Sequence, residues 1–378
     1  MRVLVTSQPG LGHLNGIISL SLALRERGHE VLAAGAPSVI AAFGRAGVAG
    51  EVLVSEPPGS DSQETLDAVP ELRLAPAPQR LAHVRAHVGI RTRAFALVDA
   101  LPLLVDRWEP DLLLRDETEL AAWVVAEGKG LPDVSFEVSS HWPRRRWNAE
   151  VGGALTELRT HAGLATSAAG PAATLFRYLH LSNGPRSLRD PEISLPLNTI
   201  DLAPAFFEGH AGFVQLDPGL TGHAYVAFGS VYRAPADVVL SVVETLAASL
   251  GSVVAVDVRS NHSGVASHPY VPQTPAMENC AVVVCHGGRN TVLTALRHAV
   301  PVVCVPIGSD HFDVARLVVR SGAGEAASWN ADEVVSSAVR VATEARYRRA
   351  AHRVAAEIAS MPGPAHAIER MEAVAARV

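Results

Sequence analysis

The run His286-Gly287-Gly288-Arg289-Asn290-Thr291 has the residue types of an anion site. It follows a short apolar stretch, Ala281 to Cys285, and opens a helix-like stretch, Thr291 to Ala299. Backbone N–H groups at a helix start point outward, and the helix dipole favours negative charge there. Paired glycines let a ligand approach the backbone closely. A histidine at the strand end can add a hydrogen bond or a positive charge. The guest this chemistry suits is a phosphate or a diphosphate.

Four other places carry chemistry. Gly10-Leu11-Gly12-His13 follows a strand-like run. It is not a dinucleotide fingerprint: the next glycine, Gly16, comes one residue late, and the second strand ends Ala33-Ala34-Gly35 without an acidic residue. What remains is a turn that lifts His13 to a carboxyl strand end, where an imidazole can take a proton near neutral pH. A helix-capping histidine is the competing reading. Asp116 lies just past the strand Asp111 to Leu114. If that strand neighbours the strand at Val3, Asp116 can hydrogen-bond His13 and fix its tautomer. A helix cap before Leu120 is the alternative, and Glu117 competes for the role. Gly229-Ser230 suits a second phosphate contact or a simple turn. Asp310-His311 opens a helix, where an aspartate binds sugar hydroxyls or serves as an N-cap.

These residues need a scaffold, and the chain supplies it twice. Val3 to Thr6, a helix from Gly16 to Arg27, His29 to Ala34 and Pro37 to Arg45 form a βαβα start. Pro57 to Pro78 reads as an irregular loop, and Ala82 to Trp108 as helical. Strands at Asp111 to Leu114 and Val134 to Val138 follow. The stretch Asn183 to Gly222 is rich in Pro, Gly and Asn, and its later part reads as a linker. The pattern then restarts with strands at Ala224, Ser252, Ala281 and Val302. The expected class is α/β, with two doubly wound Rossmann-like domains facing a cleft. The expected ranges are 1–205, 220–360 and a C-terminal helix 361–378 that packs back on the first domain.

Composition narrows the partners. The chain has 378 residues, a net charge of −6 and one basic run, Arg144-Arg145-Arg146, which argues against nucleic acid as the main partner. The three cysteines, Cys280, Cys285 and Cys304, sit in or beside apolar runs and fit no zinc spacing. The first residues enter a strand directly, with no signal peptide, and no apolar stretch has the length of a bilayer span. A cytoplasmic location without membrane contact is expected.

Taken together, Gly10 to His13, Pro110 to Asp116, Val271-Pro272-Gln273, His286 to Thr291 and Pro306-Ile307-Gly308-Ser309-Asp310-His311 resemble the family-1 glycosyltransferases of GT-B fold. The likeness covers essentially the whole chain. It is strongest to the calicheamicin-type bacterial enzymes that attach deoxysugars to natural products. The resemblance implies an inverting, metal-independent transferase of hexosyl type, with His13 as base and Asp116 as its partner. It implies a nucleoside diphosphate sugar, dTDP-linked, held by Gly12, Ser230, Tyr270, Val271, His286, Gly287, Gly288, Asn290, Thr291, Asp310 and His311. No cofactor is implied. No Asp-x-Asp pair stands near the glycine loop, so the helix dipole and His286 are expected in place of a magnesium ion.

Three positions depart from the family pattern. His311 stands where Gln is usual, Asp313 where Asn is usual, and Tyr270 where Trp is frequent. These put glucose as donor and the identity of the donor's nucleobase in question. The acceptor is expected to be a small natural-product aglycone in antibiotic or other secondary metabolism, lined by His141, Trp142 and Trp147. Two tryptophans among arginines could stack on an aromatic scaffold. A surface loop with an apolar anchor is the alternative for that stretch. The rival activities are a nucleotide-sugar epimerase or hydrolase on the same fold and a non-catalytic binding partner. A homodimer is left open.

Overall fold

The computed structural model describes residues 1–58, 62–73, 75–209, 216, 220–229, 232 and 234–377. They divide into two compact units. The first comprises Met1–Asn183, Pro191–His210 and Pro362–Val378, and the second Gly184–Asp190 and Ala211–Met361. The short piece Gly184–Asp190, inside the range expected for the first domain, therefore belongs to the second unit.

The first unit holds a seven-stranded parallel sheet. Its strands are β1 (Arg2–Thr6), β2 (Glu30–Gly35), β3 (Gly50–Val52), β4 (Leu112–Asp116), β5 (Asp133–Phe136), β6 (Leu179–Ser182) and β7 (Thr199–Asp201), in the order β3-β2-β1-β4-β5-β6-β7. β1 and β4 are neighbours, with Val3 opposite Leu112 and Val5 opposite Leu114. Both strands are apolar on both faces, as a sheet covered by helices requires. Leu4 and Leu113 join a cluster with Leu101, Trp123 and Leu155. Val3, Val5, Leu112 and Leu114 point the other way, into a cluster with Ile17, Phe43 and Met371. The period-two alternation of a strand divides these residues between two cores.

The helix Leu11–Glu26 buries Leu14, Ile17, Ile18, Ser21 and Leu24, a 3–4 spacing that puts one stripe on the sheet. Burying a residue such as Ile17 in full contributes roughly 1.5–3 kcal/mol. Gly16 is also buried, and a Cβ there would stand 2.6 Å from the Phe136 ring. This close helix–sheet approach explains the glycine that the dinucleotide fingerprint could not. The last helix, Pro364–Ala375, starts on a proline, which suits a first helical position. Its Ala367, Ile368 and Met371 are buried in the cluster of Val3 and Ile17. The stretch read as an irregular loop contains two short helical pieces, Ser62–Asp67 and Pro70–Arg73.

The second unit holds a six-stranded parallel sheet. Its strands are β8 (Ala224–Ala227), β9 (Val253–Val256), β10 (Val265–His268), β11 (Val282–Cys285), β12 (Val302–Cys304) and β13 (Gly324–Ala326), in the order β10-β9-β8-β11-β12-β13. Both units are thus doubly wound, as expected. In each, the strand order reverses at one place: between β1 and β4, and between β8 and β11. Ligands of open α/β sheets bind outside the carboxyl ends of the strands at such a reversal. Among the described residues no helix is long and apolar enough to cross a membrane. All three cysteines are free and buried.

Candidate functional site

At the reversal of the first sheet, the turn after β1 brings up a histidine and β4 ends on an aspartate. Gly10 caps the helix Leu11–Glu26 with φ 107°, a conformation that favours glycine. His13 sits inside the first turn of that helix, and no side chain caps it. The competing reading of His13 as a cap is therefore not realised. Its Nδ1 stands 3.4 Å from Asp116 Oδ2 and 3.4 Å from Thr118 Oγ1. The imidazole keeps about a third of its surface exposed, while Asp116 is wholly buried. Gly12 is exposed, with open space where a Cβ would be.

Asp116 is held from both sides. Its Oδ2 accepts from Gln8 N at 2.6 Å and Ser7 Oγ at 3.0 Å. Its Oδ1 accepts from Thr118 N at 2.7 Å, Thr118 Oγ1 at 2.7 Å and Glu119 N at 2.9 Å. Burial alone would raise its carboxyl, but His13 and these donors outweigh burial and hold it well below the usual carboxylate range. An ionised carboxylate at Nδ1 favours the tautomer with hydrogen on Nδ1, which leaves Nε2 able to accept a proton.

Three acids lie within Asp116–Glu119, and each has a separate task. Glu119 caps the helix Ala121–Lys129 by accepting from Ala121 N at 2.8 Å and Ala122 N at 3.1 Å. Glu117 turns to the Ser139 hydroxyl at 2.8 Å. Only Asp116 meets His13. Sequence reasoning did not single out Ser7, Gln8 or Thr118. Their polar side chains beside His13 and Asp116 were the available signal.

Arg115 locks this loop from below. Its guanidinium is fully buried, with Nε 2.8 Å from Asp133 Oδ2. It also donates to the carbonyls of Asp116, Glu117, Glu119 and Leu175. Arg115→Ala leaves Asp133 buried without its cation, and the expected loss of stability is about 3–5 kcal/mol. Urea unfolding measures it; a loss below about 1 kcal/mol would show that the pair does not anchor the loop.

The expected acceptor residues part company. Trp142 and Trp147 are 0% and 1% exposed. Their faces are taken by the Arg85 guanidinium, at 3.9 Å and 4.8 Å from the ring centroids. This corrects the expectation that they stack on an aglycone: Trp142 also meets Arg146 at 4.2 Å, but the arginine shared by both rings comes from 57 to 62 positions earlier in the chain, a pairing that local spacing does not reveal. His141 is buried too, but it lines a cavity of about 500 Å³ with Phe176 and Asn198.

At the reversal of the second sheet, β11 ends and His286 follows. The helix Arg289–Arg297 begins three residues later, with Gly288 at its N-cap. Glycines surround the imidazole. A Cβ on Gly288 would lie 2.5 Å from His286 Nε2, and one on Gly229, which has φ 75°, 2.8 Å from its Cε1. Gly287, at φ 85°, adopts the left-handed conformation. His286 Nδ1 lies 3.5 Å from the Ala227 carbonyl. Burial pushes this imidazole down to about 4. In the ligand-free protein His286 is therefore neutral at pH 7, which of the two roles left open favours the hydrogen bond over a standing positive charge.

His311 packs edge-on against His286, with ring centroids 4.5 Å apart, and against Tyr232 at 5.6 Å. Its Nδ1 accepts from Gly308 N at 3.3 Å, which places its hydrogen on Nε2. Burial, then the neighbouring His286, holds it well below the usual histidine range. Asp310 is 7% exposed and stands at the N-cap position of the helix His311–Ser321, without a side-chain capping hydrogen bond there. It follows Ser309, whose φ of 51° is strained for a residue with a side chain. Thr291 is buried, and its hydroxyl accepts from Gln273 Nε2 at 2.8 Å. That bond ties the Val271-Pro272-Gln273 stretch to the glycine loop. Val271 is buried and Tyr270 partly so. Asn290 is in the first turn of the helix and partly exposed. Ser230 lies outside the described residues.

The two neutral imidazoles carry a pH signature. A histidine whose folded value is lowered binds fewer protons folded than unfolded, so stability is lost as pH is lowered through that interval. The melting temperature is expected to drop as pH is lowered from about 6.5 towards 4, and less steeply in His286→Gln. Identical slopes in both proteins would contradict the buried neutral assignment.

Residues 235–374 match the family model described as the erythromycin biosynthesis protein CIII-like C-terminal domain. The chain is 27% identical to an L-demethylnoviosyl transferase of Streptomyces niveus, over 99% of this chain and 98% of that one. It is 26% identical to an aklavinone 7-beta-L-rhodosaminyltransferase of Streptomyces galilaeus, over 100% and 96%. Among solved structures it is similar to the glycosyltransferase SsfS6 of Streptomyces sp. SF2575 complexed with thymidine diphosphate. That likeness has a TM-score of 0.79 and 25% identity over 98% and 99% of the two chains.

Proposed function

We propose that this chain is a family-1 glycosyltransferase of the GT-B fold, a reading supported by its relatives, and that it carries a deoxysugar from a dTDP-linked donor to a hydroxyl of a natural-product aglycone, with inversion. The observation that carries the reading is the His13–Asp116 pair at the β1/β4 reversal. His13 Nε2 takes the acceptor proton as the oxygen attacks the anomeric carbon. Asp116, ionised and fixed by five hydrogen bonds from Ser7, Gln8, Thr118 and Glu119, stabilises the imidazolium that forms.

The departing diphosphate is met by the N–H groups at the start of the helix Arg289–Arg297. His286 begins neutral, so it serves by hydrogen bonding or takes up a proton as the diphosphate arrives. Asp310 is the candidate for sugar hydroxyls. His311, buried against His286, is proposed to shape the sugar pocket rather than to carry charge. The deoxysugar and the thymidine nucleotide are supported by the relatives: the matched transferases are named for rhodosaminyl and demethylnoviosyl groups, and the SsfS6 structure holds thymidine diphosphate. The family model of the erythromycin biosynthesis protein, matched over residues 235–374, likewise supports a role in antibiotic biosynthesis.

The test is mass spectrometry of products from a panel of dTDP- and UDP-sugars with polyketide and aromatic aglycones. A glycoside formed from dTDP-deoxysugars in preference to UDP-glucose is expected. A preference for UDP-glucose would overturn the donor assignment.

A further inference from the structure

A second cluster of titratable groups lies in the first unit, apart from the His13–Asp116 pair. Glu117, His141 and His180 are buried, and one ligand atom from each lies within 4.8 Å of the others. The elements that bring them together are non-local: the loop after β4, the loop after β5, and β6. Glu137 is also close, with Oε2 3.7 Å from His180 Nε2, beyond hydrogen-bond length.

The surroundings of these groups are those of metal ligands. A ligating histidine uses one nitrogen for the metal and the other for an orienting partner. His180 Nδ1 is 2.8 Å from Ser135 Oγ, which leaves Nε2 for a ligand. Glu117 accepts the Ser139 hydroxyl on Oε1 at 2.8 Å, and its Oε2 faces His141 Nδ1 at 3.4 Å. His141 Nε2 is buried and has no hydrogen-bond partner among the described residues. A buried polar atom left unsatisfied costs free energy that a ligand would recover. Burial also holds His180 towards the neutral form, which is the form that binds metal.

We propose that Glu117, His141 and His180 bind one divalent first-row cation, zinc by preference, as a brace between the loop carrying Asp116 and the loop Glu137–Pro143. Imidazole and carboxylate ligands suit zinc, and closing the three atoms from within 4.8 Å to ligand distances of about 2.0–2.2 Å from a common centre requires shifts on the order of 1 Å. The cavity lined by His141 gives a route inward. Arg144 and Arg177 also line it and oppose a cation, so slow loading is expected.

Equilibrium dialysis of the full chain against zinc or cobalt(II), followed by metal analysis, tests the site. One equivalent per chain is expected, with visible cobalt bands of a site containing imidazole nitrogen. His141→Ala is expected to abolish stoichiometric binding. Ser135→Ala, which keeps all three ligands, is expected to weaken it about 10–100-fold. Circular dichroism establishes that each variant is folded, and His161→Ala serves as an exposed-histidine control. No stoichiometric metal in the parent protein, or equal binding by the parent, His141→Ala and Ser135→Ala, would overturn the proposal.

Discussion

His13→Ala is expected to lower turnover by about two to four orders of magnitude, the usual worth of a positioned general base. The loss should fall on kcat, with donor affinity unchanged, because the imidazole acts on the acceptor oxygen rather than on the nucleotide. Asp116→Asn is expected to follow it. The amide no longer fixes the hydrogen on Nδ1 or stabilises the imidazolium, although Ser7, Gln8 and Thr118 would still crowd around it. Steady-state kinetics with saturating donor measures both. Turnover within tenfold of the parent in His13→Ala would contradict the assignment of the base.

The second large effect is expected at His286. Removing the imidazole from its glycine collar takes away a phosphate contact and opens space beside Gly229 and Gly288. His286→Ala is expected to weaken thymidine diphosphate binding by about 10- to 100-fold, the worth of one to two charge-assisted hydrogen bonds. Calorimetry reads this directly. Because His286 is neutral in the free protein, with its value lowered to about 4, contact with an anion should raise it. Proton uptake on binding is therefore expected between pH 5 and 6, seen as a buffer-dependent binding enthalpy and missing in the variant. Equal affinity for thymidine diphosphate in the two proteins would count against the phosphate role.

Much of the architecture was legible because a buried parallel strand has few sequence disguises. The runs at Val3, Leu112, Val226 and Val282 are apolar on both faces, and each is followed by a turn and a helix. His286 to Thr291 was legible for the same reason: paired glycines between a strand and a helix have a local meaning. Three features were not local. Which of Asp116, Glu117 and Glu119 serves His13 depends on the hydrogen bonds each makes, not on their order in the chain. The burial of Trp142 and Trp147 depends on Arg85, brought in by a helix far upstream. The charge of His286 depends on burial beneath His311, which sequence spacing does not report.

The most direct test of inverting transfer is the fate of a dTDP-deoxysugar incubated with the enzyme, with and without a competent aglycone, followed by NMR of the product. Donor consumption that depends on the acceptor, and a glycoside whose anomeric configuration is opposite to that of the donor, are the predicted result. Equal donor consumption without acceptor, or a glycoside of retained configuration, would contradict it.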